Sequence, residues 1–278
     1  MKTVRTRSEL NECLDKVDRS RLGFVPTMGA LHAGHLSLVK RAKEECDTVV
    51  VSVFVNPTQF NDPKDLENYP RDERNDLIVL EKAGADIVFM PDVKEMYPEP
   101  DTRVFDFGQL DKVMEGATRP GHFNGVAQVV SKLFALVRPA KAFFGEKDFQ
   151  QIAIVKAMCE GLDQSPQIVP CPIVREADGL AMSSRNALLT PEHRAAAPDI
   201  YRAMKAGVEK MGEMTPAEVE EFVTEKINSN PLLEVIYFKI VDALTMMQIE
   251  NWKDSEAIQG CAAVRAGNVR LIDNIRFV

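Results

Sequence analysis

Short runs of β-branched and aromatic residues alternate along much of the chain with longer stretches whose apolar positions return every three or four residues. Leu22 to Thr27 (LGFVPT), Thr48 to Val55 (TVVVSVFV), Ala85 to Met90 (ADIVFM), Lys141 to Phe144 (KAFF) and Gln167 to Val174 (QIVPCPIV) are predicted strands. These runs are apolar on both faces, as strands are when helices cover both sides of a sheet. Between them, His35 to Cys46 puts Leu38, Val39, Ala42 and Cys46 on one face, and Asp72 to Lys82 and Asn124 to Val137 share the period. The pattern predicts βαβ units around a Rossmann-like parallel sheet with helices on both faces.

The character changes after Arg175, where Glu176 to Asn186 (EADGLAMSSRN) is polar and without a strong period. A domain boundary is expected here, between residues 1–175 and 176–278. Thr190-Pro191 and Thr215-Pro216 are helix starts, with Thr at the cap and Pro at the first helical position, and Glu218 completes a capping box with Thr215. Two helices are expected, then strands over Leu233 to Asp242, Ala257 to Arg265 and Val269 to Phe277, the last two joined by a turn at Ala266-Gly267-Asn268. Helices followed by antiparallel strands predict a small α+β C-terminal domain.

With 278 residues, 45% hydrophobic and 27% charged, the composition is that of a soluble globular protein. The longest apolar run, Val49 to Val55, is interrupted by Ser52 and too short for a membrane helix, and no secretory signal is read at the N-terminus. The net charge of -8 disfavours a nucleic-acid partner, which needs a broad basic surface. Cys13, Cys46, Cys159, Cys171 and Cys261 are odd in number and widely spaced, which argues against a disulfide framework and for a reducing cytoplasm.

The first chemical signal is Pro26 to Leu36 (PTMGALHAGHL), which joins the first of these strands to the first of these helices at the ligand-binding edge of an α/β sheet. Gly29 and Gly34 allow close approach of the backbone, and a helix N-terminus offers N–H groups to a phosphate. The Gly29-x4-Gly34 spacing imitates a P-loop, but His35-Leu36 stand where Lys and Ser/Thr are needed, and the Gly-x-Gly-x-x-Gly dinucleotide spacing is absent. For His32 and His35 three readings stand side by side: local capping and packing, phosphate binding, and metal binding, the last without a neighbouring cysteine or carboxylate pattern. Gly145-Glu146-Lys147-Asp148 and Met182-Ser183-Ser184-Arg185 add further donors suited to polyphosphate. Singly, a Lys-Asp pair is more often a surface pair and Ser-Ser-Arg a polar turn.

Jointly these segments resemble a known family. PTMGALHAGH at 26–35, NPTQF at 56–60, YPR at 69–71, RPGHFNGV at 119–126, GEKDFQQ at 145–151 and VREADGLAMSSRN at 174–186 are similar, in order and spacing, to the pantothenate synthetase (pantoate–β-alanine ligase) family. More broadly, the His-x-Gly-His and Met-Ser-Ser-Arg pair resembles the paired loops of the class I aminoacyl-tRNA synthetase and nucleotidylyltransferase superfamily. Beyond about Ala187 no chemical motif carries the resemblance. Thr58 departs from it, standing where Met is frequent, as does Asn75, at a place where an acidic residue occurs.

The resemblance implies a two-step, ATP-dependent condensation of (R)-pantoate with β-alanine through pantoyl adenylate, releasing pyrophosphate and then AMP. It implies ATP contacts at Pro26, Thr27, Met28, Gly29, Ala30, Leu31, His32, Ala33, Gly34 and His35, at Gly145, Glu146, Lys147 and Asp148, and at Val174, Met182, Ser183, Ser184 and Arg185. His35, His32, Lys147, Ser183, Ser184 and Arg185 would carry catalysis, Gln59 and Gln151 would bind pantoate, and Gln59 would also meet β-alanine. Asn56, Arg119 and His122 would be wall or lid residues. His35 is the family's proton donor, although attack by an ionised carboxylate needs no obligatory proton, so charge stabilisation by both histidines is the alternative. Mg2+ would arrive with ATP, with Asp76 as a candidate contact. Residues 1–175 would bind ATP and pantoate, 176–278 would be a lid, and the assembly would be a homodimer. A nucleotidylyltransferase that stops at nucleotidyl transfer, and a silent nucleotide-binding protein, are the competing readings.

Overall fold

A computed structural model describes residues 1–162 and 165–278. Six parallel strands, β1 (Lys2–Val4), β2 (Leu22–Thr27), β3 (Thr48–Val53), β4 (Ile87–Phe89), β5 (Lys141–Gly145) and β6 (Gln167–Cys171), form one sheet in the order β1-β4-β3-β2-β5-β6. From β2 the chain steps one way to β3 and β4, then returns to the other side of β2 as β5 and β6. The order therefore reverses between β2 and β5, and ligands of such sheets bind at the carboxyl ends of the strands flanking that reversal.

Alternation of side chains across the sheet explains why β2 and β3 are apolar on both faces. On one face Phe24 and Phe144 meet Phe134 of the helix His122–Val137 edge-on, with centroids 6.2 and 6.4 Å away. On the other, Val25, Val49, Val51 and Phe143 pack with Leu38, Val39 and Ala42 of the helix Ala33–Glu45. The predicted strands are all present, some shorter. The last one ends at Cys171 because Pro172 has no N–H to donate, and Pro170 is tolerated because β6 lies at the sheet edge. Strand β1 and the helix Arg7–Leu14 were not expected; they are short and weakly apolar.

Three antiparallel strands, β7 (Leu233–Asp242), β8 (Ile258–Ala266) and β9 (Val269–Arg276), form the second sheet, with Gly267-Asn268 as the turn between the last two. Ile200, Met204, Val219, Val223 and Ile227 join Phe238, Ile240 and Val264 in its core. Thr190 and Thr215 cap helices as expected, but three helices form rather than two: Pro191–Ala196, Asp199–Glu209 and Pro216–Asn228. The extra break lies at Pro198, whose ring and missing N–H interrupt a continuous helix.

The chain divides into two compact units. The first comprises 1–107, 119–146 and 151–172, and the second 108–118, 147–150 and 173–278. A buried carboxylate explains why an early segment belongs to the C-terminal unit. Glu115 accepts from the Tyr237 hydroxyl at 2.7 Å and from Arg270 at 2.7 Å, while Gln150 donates to the carbonyls of Leu110 and Val113 at 2.7 and 2.9 Å.

Candidate active site

In the N-terminal unit the loop after β2 turns through two consecutive left-handed residues, Gly29 (φ +83°) and Ala30 (φ +50°). Glycine is needed at the first, where a Cβ would fall 2.9 Å from Asp76 Oδ2 and 3.0 Å from Val53 Cγ1. The turn aims the N–H groups of Ala30 and Leu31 at the Asp76 carboxylate, 3.0 and 2.7 Å away. Asp76 is buried in the helix Glu73–Ala83; burial pushes its carboxyl above the usual range, and the two main-chain donors pull it back. Its carboxylate clamps the loop, each oxygen holding one main-chain N–H. Among the described residues no three His, Cys, Asp or Glu side chains gather as a metal site.

His32 and His35 cap the helix Ala33–Glu45 reciprocally. His32 Nδ1 accepts from the N–H of Gly34 at 3.2 Å, and His35 Nδ1 accepts from the N–H of His32 at 3.4 Å, with ring centroids 4.1 Å apart. An imidazole whose Nδ1 accepts a hydrogen bond carries its proton on Nε2. The capping reading and the binding reading are thus compatible, because capping orients each ring and sets its tautomer.

Beside this loop stands a buried amide network. Asn56 Nδ2 donates to Gln59 Oε1 and to the Gly125 carbonyl, both at 3.1 Å, while Asn56 Oδ1 accepts from the Tyr97 hydroxyl at 2.8 Å and from Thr58 Oγ1 at 3.2 Å. Gln59 Nε2 points to Met28 Sδ at 3.0 Å. His122 Nδ1 lies 2.8 Å from the Gln59 carbonyl, and Arg119 lies 3.1 Å from His122 Nε2, so a donating guanidinium leaves the Nδ1 proton for that carbonyl. Close approach makes Gly125 necessary, since a Cβ there would sit 2.3 Å from the Thr58 carbonyl oxygen. Gln151 is half-buried in the helix Phe149–Glu160.

Gly145 ends β5, and Glu146–Asp148 forms a single 3-10 turn before that helix. Lys147 and Asp148 belong to the C-terminal unit, where Lys147 Nζ is 3.3 Å from Asp148 Oδ1 and the Lys147 carbonyl accepts from Asn274 at 3.0 Å. In the same unit the loop carrying the Met-Ser-Ser-Arg motif closes on itself. The N–H of Met182 donates to the Val174 carbonyl at 3.0 Å, that of Glu176 to the Leu180 carbonyl at 2.8 Å, and Ser183 caps the 3-10 helix Ser184–Leu188 by accepting from the Arg185 N–H at 3.3 Å.

Sequence reasoning does not find the residues that hold these segments. Arg175 falls in the VREADGLAMSSRN segment without an expected role, yet its guanidinium grips Asp273 at 2.6 and 3.0 Å, donates to the carbonyls of Gly179 and Asn274 at 3.2 Å each, and lies 3.6 Å over the Tyr201 ring. Tyr97 carries no signal either; it sits in an irregular stretch and meets Asn56 across 41 positions. The two neighbours Asn56 and Gln59 are visible, because both fall in the NPTQF segment.

Comparison with known proteins agrees with the motifs. The family model for pantoate-beta-alanine ligase matches residues 2–276. A pantothenate synthetase of Porphyromonas gingivalis is 56% identical over 262 residues, covering 94% of this chain and 93% of the relative. A solved pantothenate synthetase from Thermus thermophilus superposes with a TM-score of 0.94 at 46% identity, covering 100% of this chain and 99% of its own. The pantoate-beta-alanine ligase of Francisella tularensis, solved in complex with beta-gamma ATP and beta-alanine, has a TM-score of 0.85 at 34% identity, covering 100% of this chain and 98% of its own.

Proposed function

The chain belongs to the pantoate–β-alanine ligase family, and from that premise we propose how its own residues carry the reaction. The reaction is the ATP-dependent condensation of (R)-pantoate with β-alanine. The pantoate carboxylate attacks the α-phosphorus of ATP and expels pyrophosphate; the β-alanine amine then attacks the acyl carbon and releases AMP. Adenylation requires two anions to be held in line while charge shifts onto the α-phosphate oxygens and the leaving group.

The observation that carries the assignment is the reciprocal capping of His32 and His35 at the helix following central strand β2. It makes both imidazoles Nε2–H donors, suited to phosphate oxygens without a net charge on the ring. Met28 to His35, with Pro26 and Thr27 behind them, together with Gly145 and Glu146, are the proposed ATP contacts of the N-terminal unit. Lys147, Asp148, Val174, Met182, Ser183, Ser184 and Arg185 are those of the C-terminal unit: Lys147 and Arg185 for the phosphates, Asp148 for the ribose hydroxyls. Gln59 and Gln151 are assigned to pantoate, and Gln59 to β-alanine as well, since neutral amides recognise hydroxyl and carboxylate oxygens without adding charge.

Mg2+ enters as part of the ATP substrate, bound chiefly by phosphate and water oxygens. A cytoplasmic site of action and a homodimer complete the proposal. All five cysteines are free, which suits a reducing compartment, and no helix among the described residues is long and apolar enough to cross a membrane.

The test follows AMP formation from ATP and Mg2+ with pantoate or β-alanine left out in turn. Steady AMP turnover is expected only when both acids are present. Pyrophosphate released to leave a stable nucleotidyl product, with no role for the amine, would return the chain to the nucleotidylyltransferase reading, and ATP bound without any release of pyrophosphate to the silent-binder reading.

A further inference from the structure

The amide of Asn56 is saturated, and its four partners impose a direction. Two hydroxyls, of Tyr97 and Thr58, donate to Oδ1, and two carbonyl-type oxygens, Gln59 Oε1 and the Gly125 carbonyl, receive from Nδ2. Reversing this amide would set its oxygen against two acceptors. With Asn56 so directed, Gln59 must offer Oε1 to Asn56, which turns its Nε2 to Met28 Sδ, a weak acceptor. A ligand oxygen would replace that sulfur with a gain in hydrogen bonding.

We propose that Tyr97 is a positioning residue for pantoate: with the Thr58 hydroxyl it holds Asn56 so that Gln59 presents its N–H edge to an acceptor oxygen of the substrate. The inference rests on the assignment of Gln59 to pantoate. Tyr97 is itself held in place. Its ring lies 6.3 Å from Phe54 and 5.2 Å beneath the Lys132 ammonium, which is tied to the Asp101 carboxylate at 3.2 Å. Burial pushes its phenol above the ordinary value, so the hydroxyl stays protonated and remains a donor. The order of action runs from ring to hydroxyl, to the Asn56 amide, to the Gln59 amide, and Tyr97 needs no contact with substrate.

Tyr97→Phe removes the donor and keeps the ring. It is expected to raise the KM for pantoate about three- to ten-fold, the range of one hydrogen bond, and to leave the KM for ATP, kcat and the thermal transition close to those of the parent. Thr58→Val should act in the same direction and less, since its bond is the longer one. The decisive measurement is a double-mutant cycle in which Tyr97→Phe is made in a Gln59→Ala background, where it should have no further effect on the pantoate KM. Equal effects of Tyr97→Phe in both backgrounds, or no effect in the parent, would overturn the positioning role while leaving Gln59 at pantoate. An unchanged pantoate KM in Gln59→Ala alone would instead remove the assignment of Gln59 and the inference with it.

Discussion

The loop after β2 and the loop that carries Ser183 to Arg185 solve the same problem with opposite chemistry. Each is an irregular segment that holds candidate ligand groups in one geometry. The first is held through its own backbone: Asp76 takes two main-chain N–H groups, and the histidines cap the helix they introduce. The second is held through a side chain at its base, Arg175, whose guanidinium is committed to Asp273, two carbonyls and an aromatic face. In the first loop, then, two of the groups that hold the geometry, His32 and His35, are themselves candidate ligand groups, so disturbing one property disturbs the other. In the second, the anchor and the candidate ligand groups are different residues.

The largest effect is expected at that anchor. Arg175→Ala leaves the Asp273 carboxylate buried and unpaired, and should destabilise the protein by about 3–5 kcal/mol in denaturant unfolding. The double variant Arg175→Met with Asp273→Leu should recover most of that loss. If it recovers none, the pair is not what holds the loop.

Lys147→Ala probes the opposite property of the C-terminal unit. It should slow single-turnover formation of the adenylate by about 10²- to 10³-fold, as loss of a charge-stabilising donor does, with the melting temperature nearly unchanged. Asp76→Asn sharpens the contrast, because an amide can accept at only one of its two ends. One main-chain N–H then faces a donor, at a cost of about 1–3 kcal/mol, and in this loop the adenylation rate should fall together with stability. A variant that lost stability with its rate intact would show that the loop tolerates movement.

The smallest effect concerns pH. The Arg103 guanidinium and Lys132 ammonium beside Asp101 hold its carboxyl well below the usual carboxylate range. A depressed carboxyl contributes stability that is complete above its unfolded value and is lost as pH falls towards the folded one. Acid unfolding should therefore lose this increment below about pH 4, where ordinary aspartates protonate, and Asp101→Asn should flatten that part of the profile. A profile identical in the variant would detach the cluster from acid stability.

Much of the fold is legible because its signals are local. The extents of β2 and β7 follow from short stretches rich in apolar, aromatic and β-branched residues, and the helices starting after Thr190 and Thr215 follow from a cap and a proline one residue apart. The candidate ligand groups are legible for a similar reason: His32 and His35, Lys147 and Asp148, and Ser183 to Arg185 lie within short motifs. Pro198, which splits one expected helix into two, is a local signal of the same kind, and the expectation of two helices gave it too little weight.

What holds those groups is not legible. The sequence by itself determined the alternation of strand and helix, the sites of its caps and turns, and the motifs that carry the family's chemistry, since each depends on residues a few positions apart. Only the tertiary structure decided that Asp76 clamps a loop 45 positions away, that Tyr97 directs Asn56 across 41, that Arg175 meets Asp273 across 98, and that Glu115 draws an early segment to Arg270 across 155. The physical reason is that a buried polar group must find a partner wherever the chain brings one, and burial is settled by packing of the whole chain rather than by local periodicity.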